Sequence, residues 1–177
     1  KKLSFFNAPT GLYSEVLLTL GSNPSGPKVN LLPGTNDLPE FTDMDGDGDL
    51  DVLNMRFVSP STAEYHRNFS MERYGTCDSL DLERQTSNWG GFLECSCGKV
   101  AFQGQTCAAI GGRTNHTGGK AMLAMDTDGD GDRDLLFTEE SCVNLYRMEN
   151  LGTTDVPVMN NLQPFPLGNS VVMQHYP

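Results

Sequence analysis

No stretch of this sequence approaches the roughly eighteen consecutive apolar residues that a membrane-crossing helix needs, so no such span is expected. Basic residues are also few, 12 Lys and Arg against 23 Asp and Glu. They form no basic patch with interleaved aromatics, which removes the electrostatic footprint of nucleic-acid binding. Histidine is limited to His66, His116 and His175, far apart and in no ligand-spaced motif. A nucleophile elbow or comparable catalytic signature is missing as well. Aromatic content is low, and the single tryptophan, Trp89, is read as core packing. The opening Lys1-Lys2-Leu3-Ser4-Phe5-Phe6 has two basic residues but no sustained apolar core after them, so it is not an intact signal peptide. With no initiator Met either, the chain reads as a mature piece or fragment.

What is present points to β-structure. The chain is 177 residues long, enough for one domain with a real core, and its 19 Gly and 10 Pro announce many turns. Leu3 to Phe6, Val16 to Leu20, and the group Val29, Leu31 and Leu32 are apolar runs of strand length. Between them lie Pro9-Thr10-Gly11, the segment 21–27 and Pro33-Gly34-Thr35-Asn36-Asp37, all of turn composition. An all-β fold is expected.

Two nearly identical stretches dominate the rest. Asp43, Asp45, Asp47, Asp49 and Asp51 fall on alternate residues, as do Asp126, Asp128, Asp130, Asp132 and Asp134. Glycines occupy the fourth and sixth positions of each run. Five carboxylates so close repel one another, and a hard cation with six to eight oxygen ligands relieves that repulsion. Calcium suits such a loop better than magnesium or zinc. In a D-x-D-x-D-G-x-x-D loop, positions one, three, five and nine give side-chain oxygens and position seven its carbonyl. Asp43, Asp45, Asp47 and Asp51 are therefore expected as ligands with the Asp49 carbonyl. In the second loop the set is Asp126, Asp128, Asp130 and Asp134 with the Asp132 carbonyl. The side chains of Asp49 and Asp132 are expected to face solvent and attract the cation from a distance. An EF-hand would need Glu at the twelfth position and flanking helices, but Asn54 and Phe137 stand there.

The flanks favour strands. Leu53, Met55 and Phe57 alternate with Asn54, Arg56 and Val58, the pattern of a half-buried strand. Ala121 to Met125 is continuously apolar, as in a strand covered on both faces. Tyr65-His66-Arg67-Asn68 follows the first loop and Tyr146-Arg147-Met148-Glu149-Asn150 the second. The unit is thus strand, Asp loop, strand, then a Tyr/Arg strand ending in Asn. The loops begin 83 residues apart, from Asp43 to Asp126, which is long for one four-stranded repeat. The expected division is a first repeat at 1–76, a cysteine-bearing insertion at 77–107, and a second repeat at 108–177.

The net charge of −11 belongs mostly to the loops, since everything but their ten aspartates sums to −1. Cys77, Cys95, Cys97, Cys107 and Cys142 include a C-x-C but no C-x-x-C. Calcium binding suits an extracellular, oxidising setting, so disulfides are expected. Five is odd, which leaves one thiol outside any internal pair, and Cys95 is too near Cys97 to pair with it easily. Two glycosylation sequons, Asn68-Phe69-Ser70 and Asn115-His116-Thr117, are short enough to arise by chance and are given no weight.

The paired Asp loops, the Leu145-Tyr146-Arg147 strand and the Asn150-Leu151-Gly152-Thr153 turn resemble FG-GAP or VCBS-type repeats. Those repeats are the blades of integrin-like β-propellers. Leu38-Pro39-Glu40-Phe41, the segment from Tyr74 to Leu80, and Gly118-Gly119-Lys120 are similar to a group of long secreted Bacteroidota proteins. Many of those end in a type IX secretion sorting domain. The resemblance implies a partial propeller with two Ca2+ sites, secreted or at the cell surface, with a non-catalytic role in adhesion or ligand presentation. It also implies that further blades of a longer chain, or a covering protein partner, shield the open edges, with a surface glycan or protein as ligand. An accessory propeller of a secreted polysaccharide-active enzyme is the alternative, as is a client or subunit held by a secretion or surface machine.

Overall fold

A computed structural model of the chain describes residues 4–7, 10–20, 27–31, 33–34, 36–56, 61–77, 79–111, 119–140 and 142–165. Leu3, Pro9, the turn segment 21–26, Leu32, Thr35, Phe57, Val58, Asp78, Gly118, His175 and the sequon at 115–117 lie outside the described residues.

Among the described residues, thirteen strands and one short helix follow in chain order. They are β1 Ser4–Asn7, β2 Leu12–Glu15, β3 Leu17–Leu20, β4 Lys28–Asn30, β5 Glu40–Thr42, β6 Asp51–Met55, β7 Ser61–Asn68, α1 Ser70–Tyr74, β8 Leu82–Ser96, β9 Lys99–Phe102, β10 Lys120–Met125, β11 Asp134–Glu139, β12 Leu145–Asn150 and β13 Met159–Phe165. The fold is all-β. None of the described residues forms a helix long and apolar enough to cross a membrane.

Two antiparallel four-strand meanders carry the architecture, β5-β6-β7-β8 and β10-β11-β12-β13. Residues 77–107 contain β8, the fourth strand of the first meander, together with β9, which folds back on β8 with Phe92 opposite Phe102. The first sheet continues past β8 into β3, which runs parallel to it with Leu18 opposite Leu82, and then into β4. The β1-β2 hairpin pairs only with itself among the described residues.

The burial of two strands reverses the expectation from sequence. β6 is buried along its whole length, Asn54 included, because the sheet is covered on both sides there. Leu53 and Met55 face the main core, while Val52 joins a second cluster of Val16, Leu18, Leu31 and Leu82. Asn54 is tolerated because its side chain bonds the His66 imidazole at 2.9 Å and the Met55 carbonyl at 3.1 Å. β10 is the outer strand of its meander and covers only one face, so Leu123 and Met125 emerge into solvent. Its apolar run is continuous, but its burial alternates.

The main core lies between the meanders. Leu53, Met55, Ala63, Trp89 and Phe92 from the first pack with Met122, Leu135, Phe137, Met148 and Met159 from the second. Gly90 makes that approach possible. It has φ +73°, and a Cβ there would lie 2.5 Å from the Met159 side chain. Two disulfides form, Cys95–Cys107 within the β8-β9 region and Cys97–Cys142 between the meanders, while Cys77 is a free, exposed thiol.

Candidate metal centre

Each Asp run forms the connection of a hairpin, the first between β5 and β6 with Thr42 opposite Asp51, the second between β10 and β11 with Met125 opposite Asp134. The two loops coil alike. Gly46 and Gly48 have φ +83° and +98°, and Gly129 and Gly131 have φ +85° and +96°. Those are backbone conformations that residues with a Cβ seldom hold. The first aspartate organises the coil: Asp43 accepts from the amides of Gly46 at 2.7 Å and Gly48 at 3.1 Å. Asp126 accepts from Gly129 at 2.6 Å and Gly131 at 3.1 Å.

The aspartate at the ninth loop position does something else. Asp51 and Asp134 are buried and clasp the loop to the third strand. Asp51 accepts from the amides of Met44 and Asn68 and from the Tyr65 hydroxyl, at 3.0, 2.7 and 3.0 Å. Asp134 accepts from the amides of Thr127 and Asn150 and from the Arg147 guanidinium, at 3.2, 2.9 and 2.7 Å. The register puts Val52 opposite His66 and Leu135 opposite Met148, which makes Tyr65 the counterpart of Arg147 and Asn68 that of Asn150. A phenol in one unit and a guanidinium in the other hold the same carboxylate.

Among the described residues, carboxyl oxygens converge in three groups, each with its ligand atoms within 4.8 Å of one another: Asp43, Asp45 and Asp51; Asp45, Asp47 and Glu72; and Asp126, Asp128 and Asp130. Glu72 was not legible in the loop motif, because α1 delivers it from outside that stretch. Arginines answer the second aspartate of each loop, Arg67 at 2.6 Å from Asp45 and Arg147 at 2.7 Å from Asp128. Arg67 also pairs with Glu72. Beside Asp45 opens a groove of about 430 Å³ lined by Tyr65, Arg67, Thr86, Trp89 and Thr154 among others.

Asp49 corrects the expectation that its side chain faces solvent. It is buried, and its carboxylate accepts from the Ser70 hydroxyl at 2.9 Å and the Met71 amide at 3.1 Å, capping α1. The second unit has a turn at 151–158 where α1 follows β7, so Asp132 has no such role.

Electrostatics single out the crowded members. Burial drives the Asp51 carboxyl up to about 7 despite the three bonds it accepts. Burial and then the neighbouring Asp130, Asp134, Asp128 and Asp126 push Asp132 up to about 6. Burial also raises Asp45 and Asp49. For Asp134 burial acts upward too, but the bonds from Thr127, Asn150 and Arg147 outweigh it and leave the group below its ordinary range.

The donors fit a hard cation. Each loop offers only oxygen, and one buried oxygen each on Asp47, Asp49 and Asp132 has no hydrogen-bond partner. A bound divalent ion would neutralise the repulsion that raises Asp132. No protein family, characterised protein or solved structure matches this chain in comparisons with known proteins.

Proposed function

We propose that the chain is a calcium-binding segment of a β-propeller of the FG-GAP or VCBS kind, exported or displayed at the cell surface, with a non-catalytic role in adhesion or ligand presentation. The observation that carries this reading is the duplication of one loop geometry. Two segments 83 residues apart fold with matching glycine torsions, matching bonds to the first aspartate and a matching clasp from the one at the ninth loop position. Asp43, Asp45, Asp47 and Asp51 with the Asp49 carbonyl would hold one ion, with Asp51 also bracing the loop and Glu72 nearby. Asp126, Asp128, Asp130 and Asp134 with the Asp132 carbonyl would hold the other. The bound ion supplies charge neutralisation, and its binding energy becomes folding energy.

Two features support the propeller reading. Both meanders are antiparallel four-strand sheets, the topology a blade requires, and Leu38, just ahead of β5, forms a parallel bridge to Ala121 of β10, which places the starts of the two meanders side by side. Two disulfides accord with an oxidising compartment. The groove beside Asp45 is the natural seat for a presented ligand.

Calcium titrated into chelator-treated protein, followed by calorimetry and thermal melting, tests the ion sites. Two binding events and a rise in melting temperature with calcium, larger than with magnesium, are expected. An identical melting curve with and without EDTA refutes the proposal.

A further inference from the structure

Away from the Asp loops, three ionisable side chains meet in the interior. Lys120 and Glu139 stand opposite each other on β10 and β11. Glu94 reaches them from β8 of the other meander, with its carboxylate oxygen 3.2 Å from the Lys120 Nζ. All three are buried, the Lys120 side chain to 1% exposure. Glu139 hydrogen-bonds Glu94, and burial together with that second carboxyl raises the Glu94 proton affinity. One amine facing two carboxyls would leave a net buried negative charge unless the carboxyls keep a proton between them.

We infer that Lys120 and Glu94 become joined by an intramolecular amide bond, with Glu139 as the proton carrier. An amine, a carboxyl electrophile and a carboxylic acid are held together where water is excluded. Fixed contact of this kind replaces an encounter in solution with a reaction inside one molecule. Moving the ammonium proton onto Glu94 gives a neutral amine and a neutral acid, the forms that burial favours. Nζ then adds to the Glu94 Cδ. Glu139 takes a proton from Nζ while giving its own to the departing oxygen. The Cδ–O bond breaks, the oxygen leaves as water, and an Nζ–Cδ amide remains. Nothing is oxidised or reduced.

The bond would tie β8 of one meander to β10 of the other. It lies next to the Cys97–Cys142 disulfide, whose cysteines are three residues beyond Glu94 and Glu139 respectively. The two links differ in one respect, since reductant opens only the disulfide.

Intact-mass measurement of the folded, purified protein after full reduction and denaturation is the test. The expected mass is one water below that of the sequence, and protease digestion should release a branched peptide joining Lys120 to Glu94. Lys120→Arg should retain the full mass. That control is needed because the Asp-Gly steps at Asp45, Asp47, Asp128 and Asp130 can also lose water by forming succinimides. Glu139→Gln should slow the reaction by roughly 100-fold or more. An unchanged mass in the wild-type protein overturns the inference, and so does a water loss that Lys120→Arg shares. Should that variant not fold, the presence or absence of the branched peptide from wild-type protein decides the matter alone.

Discussion

Carboxylates in these loops differ in how far the fold itself uses them. Asp43, Asp45, Asp47, Asp126, Asp128 and Asp130 gather oxygen at the loop, whereas Asp51, which also converges with Asp43 and Asp45, and Asp134 are bound into the fold by strand and loop amides. Removing the second kind orphans buried amides at about 1–3 kcal/mol each. Asp51→Ala is therefore expected to destabilise the metal-free protein by at least about 2 kcal/mol, and Asp47→Ala far less, in urea denaturation with EDTA present. Protonation discriminates as well. Asp51 and Asp132 titrate higher in the fold than in the unfolded chain, so each favours the fold fully only below the unfolded value and loses that contribution as pH rises through about 6 to 7. Asp134, Asp81 and Glu64 shift the other way, and their contribution is already in place above pH 5. Metal-free protein should thus melt at a lower temperature at pH 8 than at pH 5.5, and saturating calcium should narrow the difference. The alternating aspartates made the clustered oxygen donors legible in sequence. Glu72, Arg67 and Arg147 were not, because register and a helix bring them in rather than spacing.

At the scale of elements, the strands flanking each loop were readable, but their coverage was not. An apolar run states what a strand can bury, and its neighbours decide what it does bury. β10 exposes Leu123 because it is an outer strand, and β6 hides Asn54 because a second cluster covers its other face. The five-residue helix α1 is too short to persist unaided. Asp49 holds its N-terminus, and Gly75 closes it at φ +68° with a bond from its amide to the Met71 carbonyl. Asp49→Ala should cost about 1 kcal/mol. It should also speed hydrogen exchange at Arg73 and Gly75 while leaving β10 to β13 unaffected. No equivalent effect is expected from Asp132→Ala.

For the whole molecule, the joint between the meanders is held by several independent links. Besides the shared core, the Arg133 guanidinium donates to the Asp43 carbonyl at 3.0 Å, which brings the two Asp loops into direct contact. The Leu38 amide donates to the Lys120 carbonyl at 2.8 Å. The Cys97–Cys142 bridge closes 45 residues and Cys95–Cys107 closes 12. Chain entropy then assigns about 4 kcal/mol to the first and about 3 kcal/mol to the second. The double variant Cys97→Ser, Cys142→Ser should accordingly lose more stability in chemical denaturation than Cys95→Ser, Cys107→Ser. Neither pairing could be read from the sequence, since partners 45 residues apart become neighbours only through the sheet-to-sheet packing. The repeat itself could be read from the duplicated Asp loops.

The parallel seam between β3 and β8 has a kinetic consequence. Each hairpin of the two meanders joins segments close in the chain and can form early, but Leu18 must find Leu82 across 64 residues with the whole first Asp loop between them. The ordering entropy of that closure is spent before any of its contacts are made. β3 and β4 are consequently expected to dock last onto an already formed sheet, and until they do, the Val52 side of β6 lacks the cover of Leu18. A slow final phase would then expose a sticky apolar face, so refolding yield should fall with protein concentration more steeply than native stability alone would suggest.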